Sequence, residues 1–325
     1  MIRFGKLAVV QIALIATTVA VVHGQPQPLE LLRQSILSRT TVDFSGIRTV
    51  VVFQDGKKVR GVEQKIDSKA PDNLRIVVTA PESERGKLCL IAGREQWDYT
   101  PSSGRAVRTQ VPPASEVMQA RLRELETLAG RMKMQYVGRE SVAGRAAHVV
   151  KVYTDRGLPL KKSWLDVEKH VELKTQRFDS RGEMRSSAYY TRIDYAPTFP
   201  PSHFSFSPPD GATVVEADRS TERMTLEQAE QAVGFKAALP EYLPPGYHFC
   251  RDQAAVIEVK GNSTLWLSFT NGADTFSLFQ REASGSLDPV LRGRSIIWQD
   301  GNYRFTLMGT LSADELQKVK ASVKP

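Results

Sequence analysis

The chain has 325 residues, 41% hydrophobic and 25% charged, with two cysteines. These values exclude a disordered tail, a disulfide scaffold and a multi-cysteine zinc protein, and the length suits roughly two domains. No internal run reaches the roughly 20 apolar residues of a bilayer span, so a polytopic membrane protein is excluded, while the net charge of +8 hints at an acidic partner.

The first 24 residues read as an export signal. Arg3 and Lys6 give a positive start, and Leu7 to Val22 is an uncharged, mostly apolar stretch. Val22 and Gly24 are small enough for a signal-peptidase site, which makes Gln25 the expected mature N-terminus. An uncleaved N-terminal anchor is the competing reading, although Gln11 interrupts a run of only 16 residues. No cysteine follows the run, as a lipoprotein signal would require. In either case the body is expected outside the cytoplasm, which demotes nucleic acid as a partner.

Pro28 to Arg39 reads as a short helix, with Leu29, Leu32, Ile36 and Leu37 on one side. From Phe44 the period changes to two. Ile47, Thr49, Val51 and Phe53 alternate with Arg48, Val50 and Val52, and Asp55-Gly56 is a turn signal. Val59 to Ile66, Leu74 to Val78, Lys87 to Ile91, Gln96 to Tyr99 and Ala106 to Val111 continue a series of short strands. One helix interrupts them: Ser115 can cap it, Met118, Leu122, Leu125 and Ala129 form an apolar stripe, and Gly130 can end it. Strands resume at Tyr136 to Ser141, Ala147 to Tyr153, Lys161 to Asp166, Val171 to Phe178 and Met184 to Tyr195.

Residues 216–222 are polar and aperiodic, and read as a linker between a unit over 25–215 and a smaller one over 223–325. In the second unit Thr225 with Gln228, and Ser312 with Glu315, have capping-box spacing and open two helices. Between them lie strands at Ala254 to Val259, Thr264 to Phe269, Thr275 to Gln280 and Arg294 to Gln299, with Asp300-Gly301 as a hairpin signal into Tyr303 to Met308.

Catalytic signatures are missing from the sequence: no H-E-x-x-H, G-x-S-x-G, G-x-G-x-x-G or Walker A loop occurs. Outside the leader, no two of His148, His170, His203 and His248 have metal-ligand spacing. The expectation is a non-enzyme without metal or cofactor, the alternative being a site dispersed along the chain. Cys89 and Cys250 are read either as two buried thiols or as a clamp between the units.

The aromatic positions carry more information. Trp97, Tyr99 and Trp164, together with Val50, Val52, Ile76, Val78, Leu88 and Leu90, are candidates to line an apolar cavity in a curved sheet covered by only two short helices. The competing account is an ordinary sheet-on-helix core. In the second unit Trp266, Phe269, Phe276 and Phe279 are candidates for a partner or interdomain surface.

Two stretches resemble a known family. Lys162-Ser163-Trp164-Leu165-Asp166, Glu172-Leu173-Lys174, Asp179-Ser180-Arg181-Gly182 and Phe204-Ser205-Phe206-Ser207-Pro208-Pro209-Asp210-Gly211-Ala212 are similar to the end of LolA-like domains. Leu243-Pro244-Pro245-Gly246-Tyr247, Thr270-Asn271-Gly272 before Phe276-Ser277-Leu278-Phe279, and Asp300-Gly301 through Gly309 resemble the C-terminal domain of RseB/MucB-type regulators of the sigma-E envelope stress response. The turn before Phe276 departs from the family's plain Asp-Gly. The resemblance implies an α+β protein, an unclosed antiparallel β-barrel wrapped on helices followed by a smaller α+β domain. It also implies a non-catalytic periplasmic regulator that binds the periplasmic segment of a single-pass anti-sigma factor and senses lipid or lipopolysaccharide. A periplasmic lipid or lipoprotein carrier is the alternative, disfavoured because a carrier needs only the first unit.

The charge divides unevenly. Residues 25–220 hold 31 basic and 24 acidic side chains, and residues 221–325 hold 11 and 12. Scattered surface charge accounts for such an excess, while anionic lipid head groups or an acidic partner segment are the sharper reading.

Overall fold

The computed structural model describes residues 25–324 apart from 55, 218–222, 260–261, 272–273, 284–294 and 310. The expected leader and most of the expected linker lie outside the described residues.

A period of two from Phe44 onward produces a sheet of twelve strands. These are β1 (Phe44–Gln54), β2 (Lys57–Lys69), β3 (Asn73–Ala80), β4 (Leu88–Ala92), β5 (Glu95–Thr100), β6 (Arg105–Gln110), β7 (Lys133–Val142), β8 (Arg145–Tyr153), β9 (Pro159–Asp166), β10 (Glu172–Phe178), β11 (Met184–Asp194) and β12 (Thr213–Ala217). Their order is β12-β6-β5-β4-β3-β2-β1-β11-β10-β9-β8-β7. The end strands β12 and β7 do not pair with each other, so the sheet stays unclosed. All neighbours run antiparallel except β12, which lies parallel to β6 with Val214 opposite Ala106. The sequence pattern marks no strand at Thr213–Ala217 (β12), where the expected first unit ends. Its pairing partner lies about a hundred residues upstream, and Val214 is exposed, so no local alternation marks it.

Two helices cover one face of this sheet. Helix α1 (Pro28–Ser38) starts on a proline, which needs no N–H donor in the first turn. It buries Leu31 and Leu32 against Val150, Val152, Leu160 and Leu165. Helix α2 (Ala114–Ala129) lies against α1. Its N-cap is Pro113 and makes no side-chain cap, so the cap expected from Ser115 does not form. The carboxylate of Asp72, in the β2–β3 turn, accepts instead from the Ala114 N–H at 3.1 Å. Along α2 only Leu128 is buried, and Val117 stays 38% exposed.

The second sheet contains β13 (His248–Phe249), β14 (Ala255–Val259), β15 (Asn262–Thr270), β16 (Thr275–Glu282), β17 (Ser295–Asp300) and β18 (Tyr303–Gly309). Helices α3 (Leu226–Val233) and α4 (Ala313–Ser322) pack on it. Thr225 and Gln228 form the capping box at α3, and the Ser312 side chain accepts from the Glu315 N–H at α4. Leu265, Leu267, Phe269, Phe276, Leu278, Phe305 and Leu307 form the core, each at most 1% exposed. Among the described residues no helix is long and apolar enough to cross a membrane.

Candidate functional site

Strand pleating puts Phe44, Gly46 and Arg48 on the helix-facing side of β1, in register with Ser68, Ile66 and Gln64 of β2. Ile66 in turn faces Ile76, and Leu74 faces Ile91. Helices α1 and α2 do not fill the space above this series. A cavity of about 450 Å³ remains, walled by Phe44, Ile66, Leu74, Ile76, Ile91, Met118 and Tyr190, with Arg39, Arg48, Arg121 and Glu172 among its polar groups. Gly46 makes room for one wall: a Cβ there would lie 2.8 Å from the Tyr190 ring. The ring meets Phe44 edge-on at 5.8 Å, and burial pushes its phenol up to about 12.

The polar groups are held to different degrees. Arg48 donates to Gln64 at 2.8 Å. Burial disfavours an ionised Glu172, yet the Lys161 ammonium at 2.8 Å and the Ser163 hydroxyl at 2.7 Å offset this and hold the carboxyl down at about 2. A second cavity of about 170 Å³ adjoins the first and shares Ser35, Ile36, Arg39, Arg121 and Glu172 with it. Its rim includes Arg177 of β10 and Asn271, which lies just after β15 of the second sheet.

Of the nine cavity candidates, Ile76 lines the larger cavity. Val50, Val52 and Val78 share its face of the sheet by register, further along the strands. Leu88, Leu90, Trp97 and Tyr99 point the opposite way and do not line it. They pack under Phe204 and Phe206, with Trp97 and Tyr99 at 5.5 and 5.4 Å from the Phe206 ring. Trp164 also faces outward, beside Val149. Its indole N–H donates to Glu140 at 2.6 Å, and the Lys162 and Lys174 ammoniums each lie 4.3 Å from its ring. In β4 both alternating series are apolar, Leu88 and Leu90 against Cys89 and Ile91, so period alone does not say which one meets the helices; in β5 it is the polar series, with Gln96, that lines the cavity, and the aromatic one is covered from the other side. Phe44 and Tyr190 were missed although Phe44 continues the Val50–Val52 series. The arginines carried no signal at all, because a charged residue in a strand reads as a solvated one.

The four aromatic candidates of the second unit divide in the same way. Phe269 and Phe276 stack at 4.7 Å inside the core, so they are not surface. Trp266 and Phe279 stand on the other face, half-buried and stacked at 5.6 Å. They belong to a cross-strand row with Ala255, Thr306 and Ile297. The Arg223 guanidinium lies 4.0 Å from the Trp266 ring. No disulfide joins Cys89 to Cys250. Among the described residues no group of three or more His, Cys, Asp or Glu side chains is placed to hold a metal ion.

No protein-family model and no curated protein matches the sequence. Solved structures do. The chain is similar to MucB in the complex structure of Pseudomonas aeruginosa MucA/MucB, with 16% identity, a TM-score of 0.61, and coverage of 92% of this chain and 98% of that one. A crystal structure of MucB in complex with MucA(peri) matches at 17% identity and TM-score 0.59, covering 92% and 99%. MucB crystallised alone matches at 16% identity and TM-score 0.53, covering 92% and 98%. From the unclosed sheet on its helices through the smaller α+β unit, this chain therefore has the MucB fold, the fold of an RseB/MucB-type protein.

Proposed function

We propose that this protein is a non-catalytic periplasmic regulator of the RseB/MucB type. It binds the periplasmic segment of a membrane-anchored, single-pass anti-sigma factor and responds to lipid or lipopolysaccharide in envelope stress signalling. The observation that carries this reading is the MucB fold over 92% of the chain, together with the solved complexes of MucB with MucA. The apolar cavity supports the lipid part, since it leaves apolar wall unfilled beside the place where Asn271 of the second unit meets the first. The outward row with Trp266 and Phe279 is the surface we assign to the partner.

The test is a pull-down of the purified protein with the periplasmic segments of its host's anti-sigma factors, with lipid extraction alongside. Capture of one such segment supports the regulator. No anti-sigma partner together with a stoichiometric acylated protein favours the second reading, a periplasmic lipid or lipoprotein carrier. The cavity suits that reading as well; the whole second sheet has no task in it.

A further inference from the structure

We propose that the larger cavity takes an amphiphile with a single apolar chain and one anionic head group, and that Arg39, Arg121 and Arg177 hold the head where the two cavities meet. This rests on the lipid-responsive reading above and narrows it to one ligand chemistry.

Size is the first argument. A cavity of about 450 Å³ falls low in the range of roughly 300 to 1,000 Å³ of small-molecule sites. That suits one chain and not the bundle of chains on a multiply acylated lipid. The wall is the second. Ile66, Ile76 and Ile91 come from the sheet and Met118 from α2, and none of the described residues fills the space between them. Covering such a surface with an apolar chain is favourable in proportion to its area.

The head site is the third. Arg39 follows α1, Arg121 lies on α2 and Arg177 on β10, so three separate elements converge there. Arg39 and Arg121 line both cavities, and Arg177 lines the smaller. None of these three side chains has a hydrogen bond or ion pair among the described residues. Arg39 and Arg177 both act on Arg121 as like charges. The Glu124 and Glu172 carboxylates offset part of this charge, although Glu172 is also engaged by Lys161 and Ser163, and burial pushes the Glu124 carboxyl toward its neutral form. Three guanidinium groups that make no hydrogen bond to either carboxylate, gathered at the rim of an apolar cavity, suit a carboxylate or phosphate head.

The experiment titrates the purified protein with a dansyl-labelled fatty acid and challenges the complex with oleate, with lysophosphatidylglycerol and with uncharged monoolein. The expected result is saturable probe binding that weakens with salt, with monoolein competing about tenfold less well than an anionic amphiphile. Oleate as the stronger competitor marks a carboxylate head; lysophosphatidylglycerol marks a phosphate head. An Arg39→Gln/Arg121→Gln double variant binds the probe about tenfold more weakly, while Arg192→Gln, away from the cavity, leaves it unchanged. Arg177→Gln gives an independent comparison if the double variant fails to fold. Equal competition by monoolein, or unaltered binding by the variants, overturns the head-group assignment and leaves the lipid reading standing. Failure of every amphiphile to bind overturns both, and the anti-sigma pull-down is unaffected by either result.

Discussion

Nε2 of His203 lies 2.8 Å from Oδ2 of Asp67, 136 residues earlier in the chain. Asp67 sits on the outer face of β2 at 1% exposure and also accepts from the Ser45 hydroxyl at 2.6 Å. His203 belongs to the segment that leaves β11 and crosses that face, and it is sandwiched by its neighbours: Phe199 stacks on it at 4.9 Å and Phe204 meets it edge-on at 5.0 Å. The contact pins a strap whose Phe206 covers Trp97 and Tyr99. His203→Ala leaves a buried carboxylate short of a partner. It is expected to lower stability by about 1 to 3 kcal/mol in urea unfolding, and a change within error would show that the aromatic contacts alone hold the strap.

Gly246 marks where the two units meet. Its φ is +81°, and a Cβ there would lie 2.9 Å from Cγ2 of Thr154 in the first unit. Gly246→Ala should therefore cost about 1 to 3 kcal/mol, from the left-handed backbone and the collision together. Thr154→Ser removes Cγ2 but keeps the hydroxyl that accepts from the Leu158 N–H. The double variant should recover the steric part, read as a coupling of at least about 0.5 kcal/mol in a double-mutant cycle.

Trp164 is 1% exposed and lies on the face away from the helices. Trp164→Ala is expected to destabilise the first sheet by about 3 to 5 kcal/mol. The folded fraction should keep its uptake of a fluorescent fatty acid. A near-neutral effect on melting with lost uptake would instead make it a cavity wall.

Glu172 supplies a pH dependence with a definite sign. Its carboxyl is held at about 2, below the ordinary 4.5, so the folded state favours the ionised form. Its stabilisation is complete above pH 4.5 and is lost as the pH falls toward 2. The stability difference between the native chain and Glu172→Gln should be largest near neutrality and shrink across that interval. A difference that stays constant with pH would assign the effect to packing alone.

Phe279 tests the partner surface. It is half-buried on the outer face of the second sheet, stacked on Trp266. Phe279→Ser should weaken capture of an anti-sigma periplasmic segment by about tenfold or more, as expected of an interface anchor. Its unfolding midpoint should move less than that of Phe276→Ser, which opens the core. Undiminished capture would place the partner elsewhere.

The sequence by itself determined the parts that short-range chemistry controls. The alternation from Ile47 to Phe53, the capping box at Thr225 and the Asp300-Gly301 hairpin each depend on residues a few positions apart, and the structure has all three. Only the tertiary structure decided what each face of a strand meets. Leu88 and Leu90 alternate with Cys89 and Ile91, both series are apolar, and it is Ile91 that lines the cavity. The cap on α2 comes from Asp72, 42 residues before Ala114, and the parallel strand β12 pairs with β6 across an entire half-barrel. Arg39, Arg121 and Arg177 read singly as solvated surface, and converge only because α1, α2 and β10 meet above one sheet face. Local periodicity encodes which residues share a side. Which side becomes interior is set by the packing of elements far apart in the chain, where burial of apolar area in three dimensions outweighs any local preference.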